Sequence, residues 1–137
     1  MNVGVFTTIK IKNGMPLFWD QHQERLVTQA EKLNLGRMNI SFSKIQNYLQ
    51  KNALADCALK ITITKKNKSV KIFLEHRQLP QTFSIYKLVS IKDTRNYRKI
   101  YKTTDRTVNK NAKKIAVEQK ANDALFTVDK NLIESTQ

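Results

Sequence analysis

Two side chains that could share one piece of chemistry stand in the last third of the sequence, an amine at Lys102 and a carboxylate at Glu134. Lys102 lies within residues 100–106, and Glu134 follows about thirty residues later within residues 132–136. An amine can attack a carbonyl group, and a carboxylate can hold a proton on a nearby ring nitrogen. A helix-period segment and a short strand separate the two residues, so the fold could bring them to one site.

Lys102 alone carries little information, because the chain holds 25 Lys and Arg among its 137 residues and most lysines are solvated. With 11 acidic residues, the formal net charge is +14. Such a charge favours anionic partners, namely nucleic acid, an acidic membrane surface, or phosphorylated and carboxylated small molecules. The basic residues are dispersed, without zinc-ligand spacing or a glycine-rich phosphate loop. Nucleic acid is therefore a disfavoured partner that the charge alone does not exclude.

The cysteine content and the hydropathy of the chain indicate its compartment. Cys57 is the only cysteine and lies in an apolar stretch, so we expect a buried structural thiol, no intrachain disulfide and no metal site. The first residues lack a secretory pattern, and no apolar run approaches about 18 residues. We therefore expect a cytoplasmic protein that does not span a membrane.

The first half of the chain carries two hairpin patterns. Alternation through residues 3–12 predicts a strand, and Asn13-Gly14 predicts a type I′ turn into a second strand over 15–19. Residues 58–64 and 69–74 are β-branched or alternating and predict a second hairpin. Both hairpins are expected to be antiparallel.

Two helices are predicted between these hairpins. Asp20 is the expected N-cap of the first helix, with Gln23 at the capping-box position and Gly36 as the C-cap, and Ser41 or Ser43 opens the second helix. The predicted buried stripes of the two helices consist of His22, Leu26, Ala30, Leu33, Ile45, Tyr48, Leu49 and Leu54.

Residues 77–82 interrupt the strand pattern and predict a linker. We place a domain boundary there, with an N-terminal α+β lobe of hairpins and two helices over 1–80 and the beginning of a second α/β lobe over 81–137. The elements predicted for the second lobe are a strand over 83–91, a helix capped by Asp105 or Thr107, and strands over 124–128 and 132–134.

Pyridoxal phosphate enzymes combine a lysine with a partner for the ring nitrogen and with cationic or N–H donors for the phosphate. Glu134 suits the first role. Arg25 suits the second, because its planar fork can hold a phosphate with two hydrogen bonds and it lies one step from the buried stripe of its helix. The ordinary alternatives are a surface carboxylate for Glu134, an exposed helix residue for Arg25 and a packing histidine for His22.

Four motifs occur in one order along almost the whole chain. They are Gly4-Val5-Phe6-Thr7-Thr8-Ile9-Lys10 with Asn13-Gly14, then His22-Gln23-Glu24-Arg25-Leu26, then Lys102, and finally Asn122-Asp123-Ala124-Leu125-Phe126 with Ile133-Glu134-Ser135-Thr136. This order resembles the class IV, or fold-type IV, pyridoxal phosphate-dependent aminotransferase family. The resemblance implies the fold of the D-amino-acid aminotransferases, pyridoxal 5′-phosphate as cofactor, Lys102 as its Schiff-base lysine and proton shuttle, Arg25 as a phosphate ligand and Glu134 as the partner of the ring nitrogen.

Within the family, Phe6-Thr7-Thr8 and Arg106 are most similar to the 4-amino-4-deoxychorismate lyases, and this resemblance implies Phe6, Thr8 and Arg106 as substrate-binding residues. That resemblance implies elimination of pyruvate to leave 4-aminobenzoate, a place in folate biosynthesis and a homodimer. Aminotransferases for branched-chain or D-amino acids resemble the same positions, so transamination stays open. A third reading, from another class, is a non-catalytic basic binding module.

The chain also departs from the family pattern. Asp105 stands where an asparagine is commoner, and Lys65-Lys66 replaces a customary arginine-glycine pair. The sequence ends just after Glu134-Ser135-Thr136, so we expect the second lobe to be incomplete unless another chain or further residues cover its strand edges and apolar faces. We accordingly expect these 137 residues alone to bind the cofactor poorly.

Overall fold

The computed structural model describes residues 4–67, 69–95 and 103–136. The described residues fall into two compact units. The first unit holds those up to Pro80 together with Thr103 and Thr104, and the second holds the remaining ones from Gln81 onward. The elements in chain order are β1 (Gly4–Lys12), β2 (Met15–Pro16), α1 (Trp19–Lys32), α2 (Phe42–Lys51), β3 (Cys57–Lys66), β4 (Ser69–Arg77), β5 (Leu88–Lys92), α3 (Thr107–Glu118), β6 (Asp123–Val128) and β7 (Asn131–Ser135).

A four-stranded antiparallel sheet in the order β2-β1-β3-β4 forms the frame of the first unit. Asn13 and Gly14 have φ values of 50° and 73°, as the predicted type I′ turn requires. The return strand β2 is shorter than predicted, because the chain leaves the sheet after Pro16 and turns into α1. The β3–β4 hairpin is longer than predicted and reaches Arg77.

The hydrophobic core of the first unit lies on one side of this sheet. Alternate residues of β1 and β3 point to that side, as strand geometry dictates, and pack against the buried stripes of α1 and α2. The buried members of this core are Val5, Ile9, Ile11, Leu26, Ala30, Leu35, Ile40, Ile45, Leu49, Cys57, Leu59, Ile61 and Ile63. The predicted structural thiol Cys57 is therefore buried.

The predicted N-cap of α1 is wrong. The helix begins at Trp19, Phe18 occupies the cap position with a left-handed φ of 55°, and Asp20 lies within the first turn, where its negative charge is favourable. Gln23 makes no capping box, because its amide instead donates to the backbone oxygen of Ile40 at 2.7 Å. At the other end Asn34, not Gly36, is the left-handed residue directly after the C-cap.

The start of α2 agrees with the sequence. Ser41 is its N-cap, and the side chain of Ser41 accepts a hydrogen bond from the backbone N–H of Lys44 at 3.3 Å. Ile45 and Leu49 are buried on the sheet side of the helix, whereas Leu54 lies beyond its end.

The second unit is a three-stranded sheet in the order β5-β6-β7 with α3 against it. β5 and β6 are parallel and α3 connects them, whereas β6 and β7 are antiparallel. The strand predicted over 83–91 is wrong at its start, because pairing with β6 begins only at Leu88. Residues 83–87 are exposed, and the backbone N–H of Lys87 donates to the side chain of Asn122 at 2.7 Å.

Helix α3 begins at Thr107, and its N-cap residue is Arg106. Neither predicted cap occupies the N-cap position, but Asp105 accepts hydrogen bonds from both the N–H and the hydroxyl of Thr107. The buried core that α3 forms with the sheet consists of Ala112, Ala116, Ala121, Ala124 and Phe126. No helix of the described residues is long and apolar enough to cross a membrane.

Candidate functional site

The predicted lysine Lys102 lies outside the described residues. The two residues that follow it in the chain, Thr103 and Thr104, belong to the first unit. Thr103 forms an antiparallel bridge with Val5, and the backbone N–H of Thr104 donates to the carbonyl oxygen of Gly4 at 2.8 Å. The Thr104 hydroxyl accepts from the N–H of Gly4 at 3.0 Å. The beginning of β1 therefore holds this segment through three contacts.

Only glycine fits at position 4 in this arrangement. A Cβ on Gly4 would lie 2.7 Å from the carbonyl oxygen of Ile63 and 3.0 Å from Cγ2 of Thr104. The first atom belongs to the backbone of the neighbouring strand and cannot rotate away. The close approach of Thr104 to β1 thus depends on the missing side chain.

Arg25 is held by a cluster of three side chains in the first unit. Its Nη2 donates to the Thr7 hydroxyl at 2.6 Å, that hydroxyl lies 2.7 Å from Nδ1 of His22, and Nη2 is 3.3 Å from the same nitrogen. Thr7 lies on β1 and is 1% exposed, while His22 and Arg25 lie three residues apart on one face of α1. The strand therefore anchors an exposed arginine through a buried hydroxyl.

The Thr7 hydroxyl links His22 to Arg25. A guanidinium can only donate, so the Thr7 hydroxyl accepts from Arg25, and the same oxygen lies in hydrogen-bond distance of Nδ1 of His22. His22 thus acts as a hydrogen-bonded positioning group beside Arg25, as well as packing along the helix.

Most of the Arg25 fork is available to an anion. Within the described part of the chain, no carboxylate lies in ion-pair distance of Arg25, and only its Nη2 makes a hydrogen bond. The side chain is exposed. A guanidinium that is anchored at one nitrogen and open at the others is preorganised for a bidentate oxyanion.

Phe6 and Thr8 lie on the other face of β1, away from Arg25. Even-numbered residues of β1 point away from the helices, opposite to Thr7 and the core residues. Phe6 is 9% exposed, and the ammonium of Lys60 lies over its ring, 5.3 Å from the ring centroid. The structure thus separates the predicted phosphate ligand from the two predicted substrate residues by one strand.

Glu134 belongs to a three-residue ion cluster in the second unit. Its Oε1 accepts from Nη1 of Arg95 at 2.6 Å, while Nε and Nη2 of the same arginine donate to the two oxygens of Asp93 at 2.9 and 2.8 Å. The Asp93 side chain is fully buried, and the Glu134 side chain is 40% exposed. Arg95 therefore joins a buried carboxylate to an accessible one.

Arg95 is fixed on several sides. The hydrogen bond to Asp93, together with that to Glu134, raises the pKa of Arg95 despite its partial burial. Its guanidinium carbon also lies 4.2 Å from the ring centroid of the buried Phe126. Since Arg95 stays charged, Oε1 of Glu134 keeps its hydrogen bond to Arg95. The other oxygen of Glu134 has no hydrogen-bond partner among the described residues.

Arg106 lies near this cluster and donates a hydrogen bond to a different residue. Its Nη2 donates to the carbonyl oxygen of Thr136 at 2.5 Å, and burial lowers its pKa, with the Coulombic effect of Glu134 opposing that shift. The Thr136 hydroxyl in turn bonds to the carboxylate of Asp123. The structure therefore brings Arg106 and Glu134 into one electrostatic neighbourhood.

Asp123 fixes the end of β7 against β6. Burial alone would raise the pKa of Asp123, but the bonds from the Thr136 hydroxyl and the Ala124 N–H, with the nearby Lys113, lower it overall. The ammonium of Lys113 lies 3.3 Å from the carboxylate and 2.5 Å from the carbonyl oxygen of Asn122. This network sets the position of the strand that carries Glu134.

Three contributing residues were not predicted from the sequence. Thr7 could have been found, because its odd position in β1 places its hydroxyl on the helix side, under His22 and Arg25. Asp93 and Arg95 gave no comparable signal, since Arg95 and Glu134 are separated by 39 residues and only the folded sheet brings them together.

The sequence profile of the family described as amino-transferase class IV matches residues 4–137. No curated protein matches the chain in sequence. Solved structures do match it in fold.

One such structure is a protein from Legionella pneumophila that is named as a candidate 4-amino-4-deoxychorismate lyase. It superposes with a TM-score of 0.85 and 23% identity, over 97% of this chain and 56% of its own. A hypothetical aminotransferase from Mycobacterium tuberculosis, in its pyridoxal phosphate-bound form, gives a TM-score of 0.77 with 16% identity over 98% of this chain and 55% of its own. A fold IV transaminase from Curtobacterium pusillum gives 0.78 with 18% identity over 98% and 53%.

The chain thus spans a little over half the length of each of these solved proteins. At such identities the superpositions show a shared fold, and they confirm the predicted α+β architecture of the fold-type IV proteins. The cofactor of this family is pyridoxal phosphate. Because the family profile covers all but the first three residues, the chain belongs to the amino-transferase class IV family.

Proposed function

We propose that this chain is the cofactor-binding part of a pyridoxal phosphate-dependent lyase that eliminates pyruvate from 4-amino-4-deoxychorismate and leaves 4-aminobenzoate. The observation that carries the proposal is the range of the family match, residues 4–137, which includes Arg25, Lys102 and Glu134. The lyase assignment of the Legionella protein supports the choice of reaction.

Arg25 fits the role of phosphate ligand. Its guanidinium is exposed and has no carboxylate partner among the described residues, and the buried Thr7 hydroxyl holds one of its nitrogens at 2.6 Å. Binding a phosphate then requires little further ordering of a long side chain, which lowers the entropic cost of the contact. In this proposal Arg25 binds and orients the phosphate, and Thr7 and His22 position Arg25.

Glu134 fits the role of partner for the ring nitrogen. One of its oxygens is fixed by Arg95, and the second has no partner in the described part of the chain. The side chain is accessible, whereas the Asp93 carboxylate behind it is buried. In this proposal Glu134 holds a proton at the ring nitrogen while Arg95 fixes the direction of the carboxylate.

Lys102 is proposed as the residue that holds the cofactor through its amino group and moves a proton at the substrate. The bound cofactor supplies an electron sink for the negative charge that develops on the substrate carbon. Lys102 can accept that proton and return it, because an unprotonated amine is a competent general base. The contacts of Thr103 and Thr104 with β1 would fix the segment that follows this lysine.

The test supplies the chain with pyridoxal phosphate and aminodeoxychorismate and measures pyruvate and 4-aminobenzoate together. Because these 137 residues are expected to bind the cofactor poorly, the pyridoxal phosphate is supplied in large excess, and we expect small but equal amounts of both products, with loss of both for Lys102→Ala. Lys110→Ala removes an exposed lysine of α3 and is the matched control, which should keep the rate. Equal rates for the two variants would contradict the proposal.

A transaminase is the second candidate, and the match to the Curtobacterium transaminase favours it specifically. This function would use the same three residues but transfer the amino group to a keto acid. Incubation with branched-chain or D-amino acids and 2-oxoglutarate distinguishes the two activities, since transamination produces glutamate and no 4-aminobenzoate. Glutamate without 4-aminobenzoate would replace the lyase proposal with this one.

We also propose that the protein acts in the cytoplasm as a homodimer and contributes to folate biosynthesis. The lyase assignment of the Legionella relative supports the pathway, since 4-aminobenzoate is the product of that reaction. Light scattering coupled to size-exclusion chromatography tests the dimer. A mass near 15.9 kDa, that of one chain, would contradict it.

A further inference from the structure

Asparagine followed by glycine is a chemically labile pair, and it occurs once in this sequence, at Asn13-Gly14. The backbone nitrogen of the glycine can attack the side-chain carbonyl carbon of the asparagine, because glycine has no Cβ to hinder the approach. A C–N bond forms to that carbon, and the side-chain amide leaves with the proton of the attacking nitrogen as ammonia. Water then opens the resulting cyclic imide to aspartate or isoaspartate. The tip of the β1–β2 hairpin, residues 13–14, is therefore a candidate modification site.

The fold holds this hairpin tip against the loop between α2 and β3. The N–H of Gly14 donates to the carbonyl oxygen of Ala55 at 2.8 Å. The N–H of Asn13 donates to Oδ1 of Asp56 at 3.2 Å. An amide nitrogen held in such a bond keeps its proton and its orientation, so it is not free to turn toward the asparagine side chain. The loop therefore opposes the attack as long as both contacts are made.

The hairpin tip is otherwise accessible. Asn13 is exposed, and a Cβ built on Gly14 would meet nothing within 4 Å. An open cavity of about 370 Å³, to whose lining Asn13, Gly14 and Ala55 contribute, lies beside the tip. The return strand β2 pairs with β1 through only two residue pairs, and short pairings of this kind open at a low free energy. Space and water for the reaction are thus present, and release from the loop is the step that limits it.

We propose that Asn13 is a deamidation site gated by local opening of the hairpin tip away from Ala55 and Asp56. Chains with the tip in place convert slowly, and chains with the tip open convert at the rate of a flexible peptide. The aspartate product places a second carboxylate next to Asp56, where like charges repel. The isoaspartate product lengthens the backbone and disrupts the pairing of Lys12 with Met15. Deamidation therefore makes the opening permanent.

The test follows conversion of Asn13 in the intact chain by peptide mass spectrometry over several weeks. A peptide of residues 10–17 and the denatured chain give the rate without the loop. Hydrogen exchange of the Gly14 amide is measured on the same sample, because exchange also requires the bond to Ala55 to open. Two hydrogen bonds that each contribute about fivefold should slow this exchange about 25-fold relative to the peptide.

Deamidation should be slowed at least as much as this exchange, because the attack also requires the backbone to rotate after the bond has opened. Conversion of Asn13 in the folded chain at the rate of the peptide would overturn the gate. Slow conversion in the denatured chain as well would overturn the site itself, because the sequence and not the loop would then be the cause.

Asp56→Ala removes the acceptor of the Asn13 N–H. It should speed both Gly14 exchange and Asn13 deamidation about fivefold, while core amides of β1 and β3 keep their protection. Glu24→Ala removes an exposed carboxylate from α1 of the same unit and is the matched control, which should change neither rate. Faster Gly14 exchange without faster deamidation in Asp56→Ala would contradict opening as the limiting step.

Asn13→Asp reproduces the aspartate product, and aspartate tolerates the left-handed φ at this position. Repulsion from Asp56 should raise Gly14 exchange about threefold. In the Asp56→Ala background the same substitution should have no further effect, since the second carboxylate is gone. Unchanged Gly14 exchange in Asn13→Asp alone would overturn the claim that deamidation keeps the hairpin tip open. All of these measurements are made without the cofactor, so their outcome is independent of the proposed lyase function.

Discussion

The two units of this chain are stabilised by different forces. The first unit packs two helices against one face of a four-stranded sheet, and its buried core is dominated by large aliphatic side chains such as Ile9, Leu26 and Ile61. The buried core of the second unit is four alanines and Phe126. Its strands are instead tied together by charged groups, with Arg95 and Asp123 at the centres of two networks.

The two units should therefore differ in how their stability responds to pH and to substitution. Burial of aliphatic side chains provides about 25 cal/mol per Å² irrespective of pH, so the first unit is a tolerant frame for Arg25. The stabilisation from a charged network changes with pH, and it is lost when any one partner is removed. In the second unit, the contacts that are most sensitive to pH and to substitution therefore include the candidate cofactor residue Glu134.

The largest expected effect comes from breaking the Arg95 cluster. Asp93→Asn removes the buried negative charge that pairs with Arg95, whose side chain is only 14% exposed. The free energy of unfolding of the second unit should therefore fall by about 3 kcal/mol. Native-state hydrogen exchange measures this directly. Amides of β5, β6 and β7 should lose protection, while those of β1 and β3 should keep theirs.

Asp129→Asn is the matched control for Asp93→Asn. It removes one carboxylate from an exposed turn of the same unit, and asparagine tolerates the left-handed φ of 48° found there. Protection in β6 should stay within experimental error. If both variants behave alike, the Arg95 cluster does not stabilise the second unit.

The next largest loss of stability is expected from a substitution in the first unit. Gly4→Ala places a Cβ against the backbone of Ile63 and the side chain of Thr104, so we expect a loss of about 2 kcal/mol. Exchange of the Thr104 amide should rise more than that of the β3 core. Gly14→Ala, where a Cβ meets nothing within 4 Å, serves as the control and should show only the cost of its positive φ. A Thr104 amide as protected as in the wild type would contradict the close approach.

Acid should affect the second unit before the first. The pKa of Asp123 is lowered in the folded state, so its contacts stabilise above the unfolded value of about 3.9 and are lost as the pH falls through the folded value. Exchange measured from pH 6 down to pH 3 should show β6 and β7 opening ahead of β1 and β3. Asp123→Asn should reduce this acid dependence, and an unchanged dependence would exclude Asp123 as a source of it.

Alkali should also destabilise the protein, by a smaller amount than acid and in the first unit. Burial raises the pKa of the Cys57 thiol, with the charge of Asp56 adding to the shift. The folded state therefore keeps its stability below the unfolded value of about 8.5 and loses part of it as the pH rises toward the folded value. Thermal unfolding at pH 7 and pH 9.5 should show the loss, and Cys57→Ala should reduce it. A wild-type melting temperature equal at both values would contradict it.

The sequence predicted the frame better than the charged networks. Alternation in β1 and β3, the Asn13-Gly14 turn and the Ser41 cap are local patterns, and each was confirmed. The error at Asp20 arose because Phe18 adopts a left-handed conformation that its residue type does not favour. The early start predicted for β5 arose because apolar residues alone cannot show which of them find a partner strand.

The site was predictable in proportion to how local its contacts are. Arg25 and His22 share one helix face, so their association could be read from their spacing. The Arg95 contact with Glu134 joins segments that have no sequence relation and forms only through the β5-α3-β6 crossover. Lys102 was predicted by resemblance and stays a prediction.

The most direct test of the central proposal is chemical trapping on the intact chain. The protein is incubated with pyridoxal phosphate and reduced with borohydride, and the modified lysines are located by peptide mass spectrometry. This readout works at low occupancy, and it needs no catalysis. We expect Lys102 to be modified far above every other lysine, and Arg25→Met to reduce this modification. Modification spread evenly over the lysines, or absent from Lys102, would contradict it.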